Sequence, residues 1–522
     1  MDQPNQMSVT PQAEPSERSH AEIMVILSAL LLAMFLAALD QTIVATALPR
    51  IASDLHGLNR LSWVATAYLM TSAISTPMYG KISDLFGRKK IFQISIIIFL
   101  VGSMLCGLSQ TMSELIFFRG LQGLGAGGLM TLALAIVGDI ISPRQRGRYQ
   151  GYFGAVFAVS SLAGPLLGGF LTDSLSWRWI FYVNLPLGII ALALIGARLH
   201  LPVHKTEHKL DFMGAGLLAI SVTSLLLATV WGGTDYPWFS VQIIGLLATF
   251  VIGAILFIVQ EMRTIEPLMP LRLFKNDIVR VTTALSLLVG VGMFGAIIFL
   301  PEYQQIVKGD SPTLSGLLLL PLVFAMLVAV VTSGRLVSKF GHYRPFPIIG
   351  TLIMAAGFWL FTHITLNTSR LMLSLWMVVL GFGMGLFLQI MTVAVQNAVE
   401  RKDLGTATSL VTFARSIGSA LGAAIFGAVL TARLNYHLKQ LFPQSSRVHI
   451  STANLQSGTT QLGKIPAPVL HRVLEAFSMS FHDIFLIGIP CSLVAFGVAL
   501  LLREKTLGLT THDHTNTPVA EL

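Results

Sequence analysis

The chain has 522 residues, 54% of them hydrophobic and 11% charged, where an ordinary soluble domain carries about 25% charged residues. With a mean hydropathy of +0.73, this composition excludes a soluble globular protein. Lys and Arg number 34 against 25 Asp and Glu, a net charge of +9, but the basic residues sit in short connections between apolar runs, so they report topology and no nucleic-acid partner is expected.

Residues 1–21 are polar and contain Pro, Ser and Glu, without the short apolar core and small-residue cleavage site of a secretory leader. They are expected to form a disordered cytoplasmic tail. Apolar runs long enough to cross a hydrocarbon core of roughly 30 Å follow at 22–48, 62–82, 90–109, 114–138, 147–171 and 178–199. These six spans predict an N-terminal six-helix bundle over 22–199. Segment 200–277 opens with a basic stretch and is expected to hold cytoplasmic linkers around two inserted spans, 212–231 and 239–260. Spans at 278–300, 313–334, 345–363, 371–395, 404–431 and 481–502 predict a C-terminal six-helix bundle over 278–502, with a long outer loop at 432–480 and a cytoplasmic tail at 503–522. The expected fold class is an all-α polytopic membrane protein with fourteen transmembrane helices.

An even count places both termini on one side. Of the 34 Lys and Arg, 22 fall in the loops and tails of the set that includes the termini, ten fall in the opposite set, and two, Arg119 and Arg415, lie inside spans. By the positive-inside rule both termini are expected to be cytoplasmic, in a protein that crosses the cytoplasmic (inner) membrane many times. A weak internal repeat accompanies the two bundles. Gly80 to Lys90 follows the second span and Gly334 to Arg344 the tenth, each with a glycine, a polar residue four positions on (Asp84 or Ser338), a second glycine (Gly87 or Gly341) and then basic residues. That is the pattern of a transporter built from parallel repeats.

Asp40 is the one acid firmly embedded in a span, roughly 24 Å beyond Met24 along the first helix. An ionisable group at that depth marks by default a proton, ion or ligand path; the alternative is a structural acid bonded to a neighbouring helix. Arg119, in the fourth span, stays charged and must face water, a carboxylate or a substrate, and Asp40 is its natural partner. Glycines beside Arg119, and Gly164, Pro165, Gly168 and Gly169 in the fifth span, let helices approach and slide. Arg415 repeats the theme of an arginine beside glycines in the thirteenth span, as a gate, a cavity charge or a headgroup anchor. Gln41, Trp63, Tyr68, Gln122, Gln389, Gln396 and Asn397 are further candidates to line a substrate cavity.

Cys106 and Cys491 both lie in apolar segments, which suggests neither a disulfide framework nor a metal site. No phosphate-binding loop is present, because Gly80-Lys81 and Gly463-Lys464 are each followed by Ile, so direct ATP hydrolysis is excluded. No embedded His/Asp/Glu cluster or nucleophile triad points to an enzyme, and no cofactor is expected.

Together these residues resemble the Major Facilitator Superfamily, specifically its fourteen-span drug:proton antiporter branch. Leu39 to Pro49 is similar to that branch's first-span motif, with Ala45 where Asn is usual. Gly80 to Lys90 resembles the superfamily loop motif, Arg119 to Gly128 the fourth-span motif, Gly164 to Gly169 the antiporter motif, and Trp177 to Gly188 is similarly typical. The resemblance implies a major facilitator fold, two six-helix bundles plus two inserted helices, working as a rocker-switch exporter. It implies that Asp40 takes up protons and is coupled to substrate, and that Arg119 tunes it. It also implies that Asp84, with Gly80, Gly87 and Arg88, locks the cytoplasmic face, with Arg144 or Arg146 as partners. Ser338 replaces that acid in the second copy, which implies a weaker lock there.

The branch's exporters of cationic drugs often carry further acids in later spans. Here Glu302, at the outer end of the ninth span, is the nearest candidate. The expected activity is proton-coupled export of lipophilic, cationic or neutral compounds. Export of one specific metabolite or lipid, and a non-transporting membrane sensor, are the alternatives. The expected partners are the bilayer, protons and small lipophilic substrates, with an envelope partner left open.

Overall fold

A backbone in hydrocarbon must satisfy its own N–H and C=O groups, so apolar runs of this length fold as helices. The computed structural model describes residues 20–56, 60–199, 211–233, 235–442, 467–505 and 507, and no strand occurs among them. The helices of the first half are α1 (His20–Asp54), α2 (Leu61–Phe86), α3 (Arg88–Leu108), α4 (Met112–Ile140), α5 (Pro143–Ser174), the single turn α6 (Trp179–Tyr182) and α7 (Asn184–Arg198). Two helices follow, α8 (Phe212–Trp231) and α9 (Val241–Arg263). The second half contains α10 (Asp277–Ile306), the short α11 (Pro312–Leu317), α12 (Leu320–Phe340), α13 (Pro345–Phe361), α14 (Arg370–Leu388), α15 (Ile390–Ala398), α16 (Leu404–Leu441) and α17 (Ala467–Leu500).

The halves repeat one packing scheme. In the first, α1 packs on α5 and α7, α4 on α2 and α3, and α3 on α7; in the second, α10 packs on α16 and α17, α14 on α12 and α13, and α13 on α17. The halves meet along α5 with α12 and along α2 with α16, and the α8–α9 hairpin leans on α2 and α16 through α8. The turns after α2 and α12 carry Gly87 and Gly341 at φ +92° and +77°, a backbone region that L side chains avoid. The glycine spacing of the sequence repeat is therefore a conformational requirement shared by both turns.

Twelve helices among the described residues are long and apolar enough to cross a membrane, against the fourteen spans expected. The two outside that set are α13, apolar but 17 residues long, and α2, whose 26 residues include seven Ser and Thr together with Lys81 and Asp84.

Several boundaries also move. Helix α1 starts at His20, inside the expected tail, and continues past Pro49 to Asp54. The described ends of the expected outer loop 432–480 are helical, because α16 runs on to Leu441 and α17 begins at Ala467, while 443–466 lie outside the described residues. Hydropathy misses these extensions because their outer faces are polar. Their inner faces carry Leu430, Leu434 and Leu438 against Val473, Phe477 and Phe481, all buried, and His437 Nε2 lies 2.8 Å from Asp483 Oδ2. The start of the expected tail 503–522 is anchored as well: Asn397 Nδ2 donates to the Lys505 carbonyl at 3.2 Å, and the Lys505 N–H donates to Tyr343 Oη at 3.0 Å. Residues 1–19, the basic stretch 200–210 and 508–522 lie outside the described residues.

Candidate functional site

Six helices of the first half contribute to one closed polar cluster. Asp40 on α1 is 0% exposed and Arg119 on α4 is 2% exposed. Arg119 Nη1 donates to Asp40 Oδ2 at 2.5 Å, and its Nε donates to the Val64 carbonyl of α2 at 3.2 Å. The other carboxylate oxygen, Oδ1, accepts from Gln122 Nε2 at 2.8 Å and from Asn184 Nδ2 at 3.1 Å. Arg119 Nη1 also donates to Gln122 Oε1 at 2.8 Å, and its guanidinium lies 4.2 Å from the centre of the Tyr68 ring. Asn184 is held in turn by Ser103 Oγ at 3.0 Å, and Ser103 donates to the Phe181 carbonyl at 2.8 Å.

A buried ion pair of this kind is sustained only by its hydrogen bonds, and removing one partner leaves an uncompensated charge at a cost of about 3–5 kcal/mol. Protonating Asp40 would therefore do more than neutralise one oxygen. It would weaken the interaction that holds Arg119 between α1 and α2, so a proton at this carboxyl acts on the packing of three helices at once.

A second network lies at the basic end of the bundle. Arg88 Nη2 is 2.9 Å from Asp84 Oδ1, and its Nε pairs closely with Asp139 at the end of α4. Asp84 Oδ1 accepts the Gly405 N–H at 3.1 Å, and Oδ2 accepts both the N–H and the hydroxyl of Thr406 at 2.8 Å. The carboxylate thus sits on the N-terminus of α16, where unpaired N–H groups and the helix dipole favour an anion. Arg144 and Arg146, expected as partners of Asp84, are not. Arg144 reaches the other half, donating to the carbonyls of Ser338 and Lys339 at 3.1 Å each. Arg146 folds back onto the carbonyls of Ile141 at 3.0 Å and Gly138 at 2.5 Å. The Asp84 contacts form with the charge and backbone available where α2 meets α16, a contact that sequence order alone does not reveal.

Close backbone approach completes this closure. A Cβ at Gly147 of α5 would lie 2.6 Å from the Gly334 carbonyl oxygen of α12, and one at Gly80 would lie 2.8 Å from the Gly405 carbonyl oxygen. Farther along α5, Gly164 faces Thr42 and Gly168 faces Ile43 of α1, whereas a Cβ at Gly169 would meet nothing within 4 Å. Gly169 therefore plays no part in this contact, and the Pro165 side chain lies outside the described ones.

The expected cavity residues divide. Tyr68 and Gln122 belong to the buried Asp40 cluster, and Gln41 shares a hydrogen bond with Tyr68. Trp63 packs edge-to-face on Trp231 of α8, with ring centres 5.8 Å apart, and so faces the inserted hairpin. Gln396 and Asn397 are buried at the basic end, where Gln396 Nε2 donates to Leu134 of α4 at 3.0 Å. Gln389 stands at the break between α14 and α15, Arg415 is half-buried in α16, and Glu302 is half-buried near the far end of α10. Sequence reasoning missed Asn184, Ser103 and Asp139 as site residues. An asparagine opening an apolar helix was the available signal for the first. The Val64 carbonyl left none.

Comparison with known proteins places this geometry. The Major Facilitator Superfamily profile matches residues 30–423. The multidrug transporter protein MdtP of Bacillus subtilis is 41% identical over 427 residues, covering 82% of this chain and 78% of that protein. Multidrug resistance protein 3 of the same organism is 36% identical over 496 residues, covering 93% and 96%. Among solved structures, a double tryptophan mutant of XylE superposes with a TM-score of 0.62 at 16% identity, covering 94% of this chain and 98% of that one, and so shares the fold. The repeated halves, the buried Asp40–Arg119 pair and a profile match across most of the chain agree: this multi-pass membrane protein belongs to the Major Facilitator Superfamily.

Proposed function

We propose that the protein is a proton-coupled secondary exporter of lipophilic compounds, with fourteen spans and both termini on the cytoplasmic side of the cell membrane. The reading rests first on the Asp40 carboxylate, buried without solvent contact and held by Arg119, Gln122 and Asn184 in a chain whose relatives are named multidrug transporters. In this reading the basic end faces the cytoplasm, and the Asp84 and Arg144 contacts keep it closed while the opposite mouth admits protons. A proton on Asp40 loosens Arg119, the halves rock, and the closure at the basic end opens to release the proton and load substrate.

The test is uptake of a fluorescent lipophile into proteoliposomes under an imposed pH gradient, with intact protein and Asp40→Asn compared. Flux that collapses both without the gradient and in the variant supports proton coupling through Asp40. Flux that survives both refutes it, and gradient-dependent flux of one metabolite or lipid but no general lipophile moves the function to a dedicated exporter.

A further inference from the structure

We propose that the protein carries an anion-recognition site at mid-membrane, built on Arg415 of α16 and Gln389 at the α14–α15 break, which selects lipophilic compounds bearing a carboxylate, sulfonate or phenolate group. This rests on the export reading above and gives that activity a substrate class, one that departs from the cationic or neutral compounds suggested by the sequence.

Register places the two residues at the same depth. Helices α15 and α16 run antiparallel, and Gln396 Nε2 donates to Thr408 Oγ1 at 3.0 Å. Seven residues from each partner, two helical turns or about 10 Å toward the far mouth, stand Gln389 and Arg415 on the same faces of their helices. At the Thr408 level that face looks into the seam between the halves, since the same Gln396 amide also reaches Leu134 of α4. The opposite edge of α16 is committed to α10, where Gly290 packs under the Arg415 carbonyl and Gly418 under Leu287.

Both side chains lack partners. Among the described residues no acid and no hydrogen-bond acceptor pairs with the Arg415 guanidinium. Gln389 is 6% exposed, its Oε1 is buried without a hydrogen bond, and its NH2 donates to no described residue, which leaves it available to an incoming oxyanion. The neighbouring hydroxyls of Thr412, Ser416 and Ser419 are occupied by carbonyls of their own helix. A headgroup anchor is excluded by depth, because Arg415 lies eleven residues from the start of α16, about 16 Å, with the far end more distant still.

An intramembrane guanidinium without a counterion is costly unless something supplies negative charge. The acids among the described residues do not. Asp40 is bound to Arg119, Asp84 and Asp139 to Arg88, and Glu302 stands about 18 Å farther along α10 than Gly290, which marks the Arg415 level. The free charge at mid-membrane is therefore positive, with a planar fork suited to a carboxylate or sulfonate. Charge balance follows: one proton inward against one monoanion outward moves two positive charges inward, whereas a neutral lipophile moves one.

The test uses full-length protein in proteoliposomes and a pair of probes differing by one group, anilinonaphthalene sulfonate and its neutral parent phenylnaphthylamine, with tetraphenylphosphonium as the cation. Initial gradient-driven rates are read as the anion-to-neutral ratio within each preparation. The ratio is expected to fall about tenfold in Arg415→Gln, the worth of one charge-assisted hydrogen bond, and to hold within about threefold in Arg415→Lys. Gln389→Glu, which supplies a competing carboxylate, is expected to lower it similarly and keeps the test decisive if Arg415→Gln fails to fold. A favourable diffusion potential is expected to accelerate the sulfonate more than the neutral probe. Equal ratios in wild type and variants overturn the inference and leave export standing, as does a wild type that moves the cation and the neutral probe but never the sulfonate. A wild type that moves none of the three against the gradient overturns both.

Discussion

Asp84 and Thr406 belong to opposite halves of the chain, yet one carboxylate oxygen of Asp84 accepts both the backbone N–H and the hydroxyl of Thr406, each at 2.8 Å. Asp84→Ala removes this helix cap and strands the buried Arg88 with Asp139 alone, so the first turn of α16 should open far more often. Deuterium uptake over residues 404–409 in detergent-purified protein is expected to speed up about five- to thirtyfold, in keeping with about 1–2 kcal/mol for a lost cap. Unchanged uptake would show that the cap does not hold the basic end.

The Asp40–Arg119 pair predicts a non-additive pattern of stability. Arg119→Gln alone leaves a buried carboxylate without its counterion and should destabilise by about 3–5 kcal/mol. Adding Asp40→Asn removes the stranded charge, so the double variant should melt above the single one. Thermal unfolding of the three proteins in one detergent checks this, and additive losses would contradict the pairing.

Two glycines five residues apart on α5 should behave oppositely. Gly164 abuts Thr42 of α1, whereas a Cβ at Gly169 would meet nothing within 4 Å. Gly164→Val is expected to abolish transport or folded yield through overpacking, which typically costs about 1–3 kcal/mol and forces helices apart. Gly169→Val should leave both within about twofold of wild type, as measured by folded yield and vesicle uptake. Equal sensitivity at the two positions would mean that α1 and α5 do not meet along this face.

Tyr343 ties the segment after α17 to the turn before α13, donating to the Arg503 carbonyl at 3.0 Å and accepting the Lys505 N–H at 3.0 Å. Burial pushes its hydroxyl up to about 12 from 10.0. A raised folded-state value means that the stabilisation is complete below pH 10.0 and is lost as pH rises toward about 12, because the unfolded chain ionises first. Melting temperature should therefore fall across that window in wild type and less so in Tyr343→Phe, which starts about 1–2 kcal/mol less stable at neutral pH. Parallel curves would refute the assignment.

Much of this architecture was legible because the membrane imposes few solutions. Apolar run length marked most helices, and the deep burial of an acid and an arginine in separate spans marked Asp40 and Arg119 before any contact was known. What escaped depends on contacts between distant segments. The partners of Asp84 are a backbone end 321 residues away and an arginine four residues on, and neither is a pattern in sequence. Helix α16 outruns its apolar core because Leu434 and Leu438 pack on α17, an amphipathic stripe that a hydropathy window averages away. Tyr68 and Gln122 look like cavity residues by type and turn out to be scaffolding for one carboxylate.

Where Gly147 and Gly334 face one another, the seam is backbone against backbone, and Arg144, one turn away, is the side chain that must release the Ser338 and Lys339 carbonyls before the halves part. A single methyl group at position 147 is then a wedge at this seam, and in the exporter reading it favours the conformation open at the basic end.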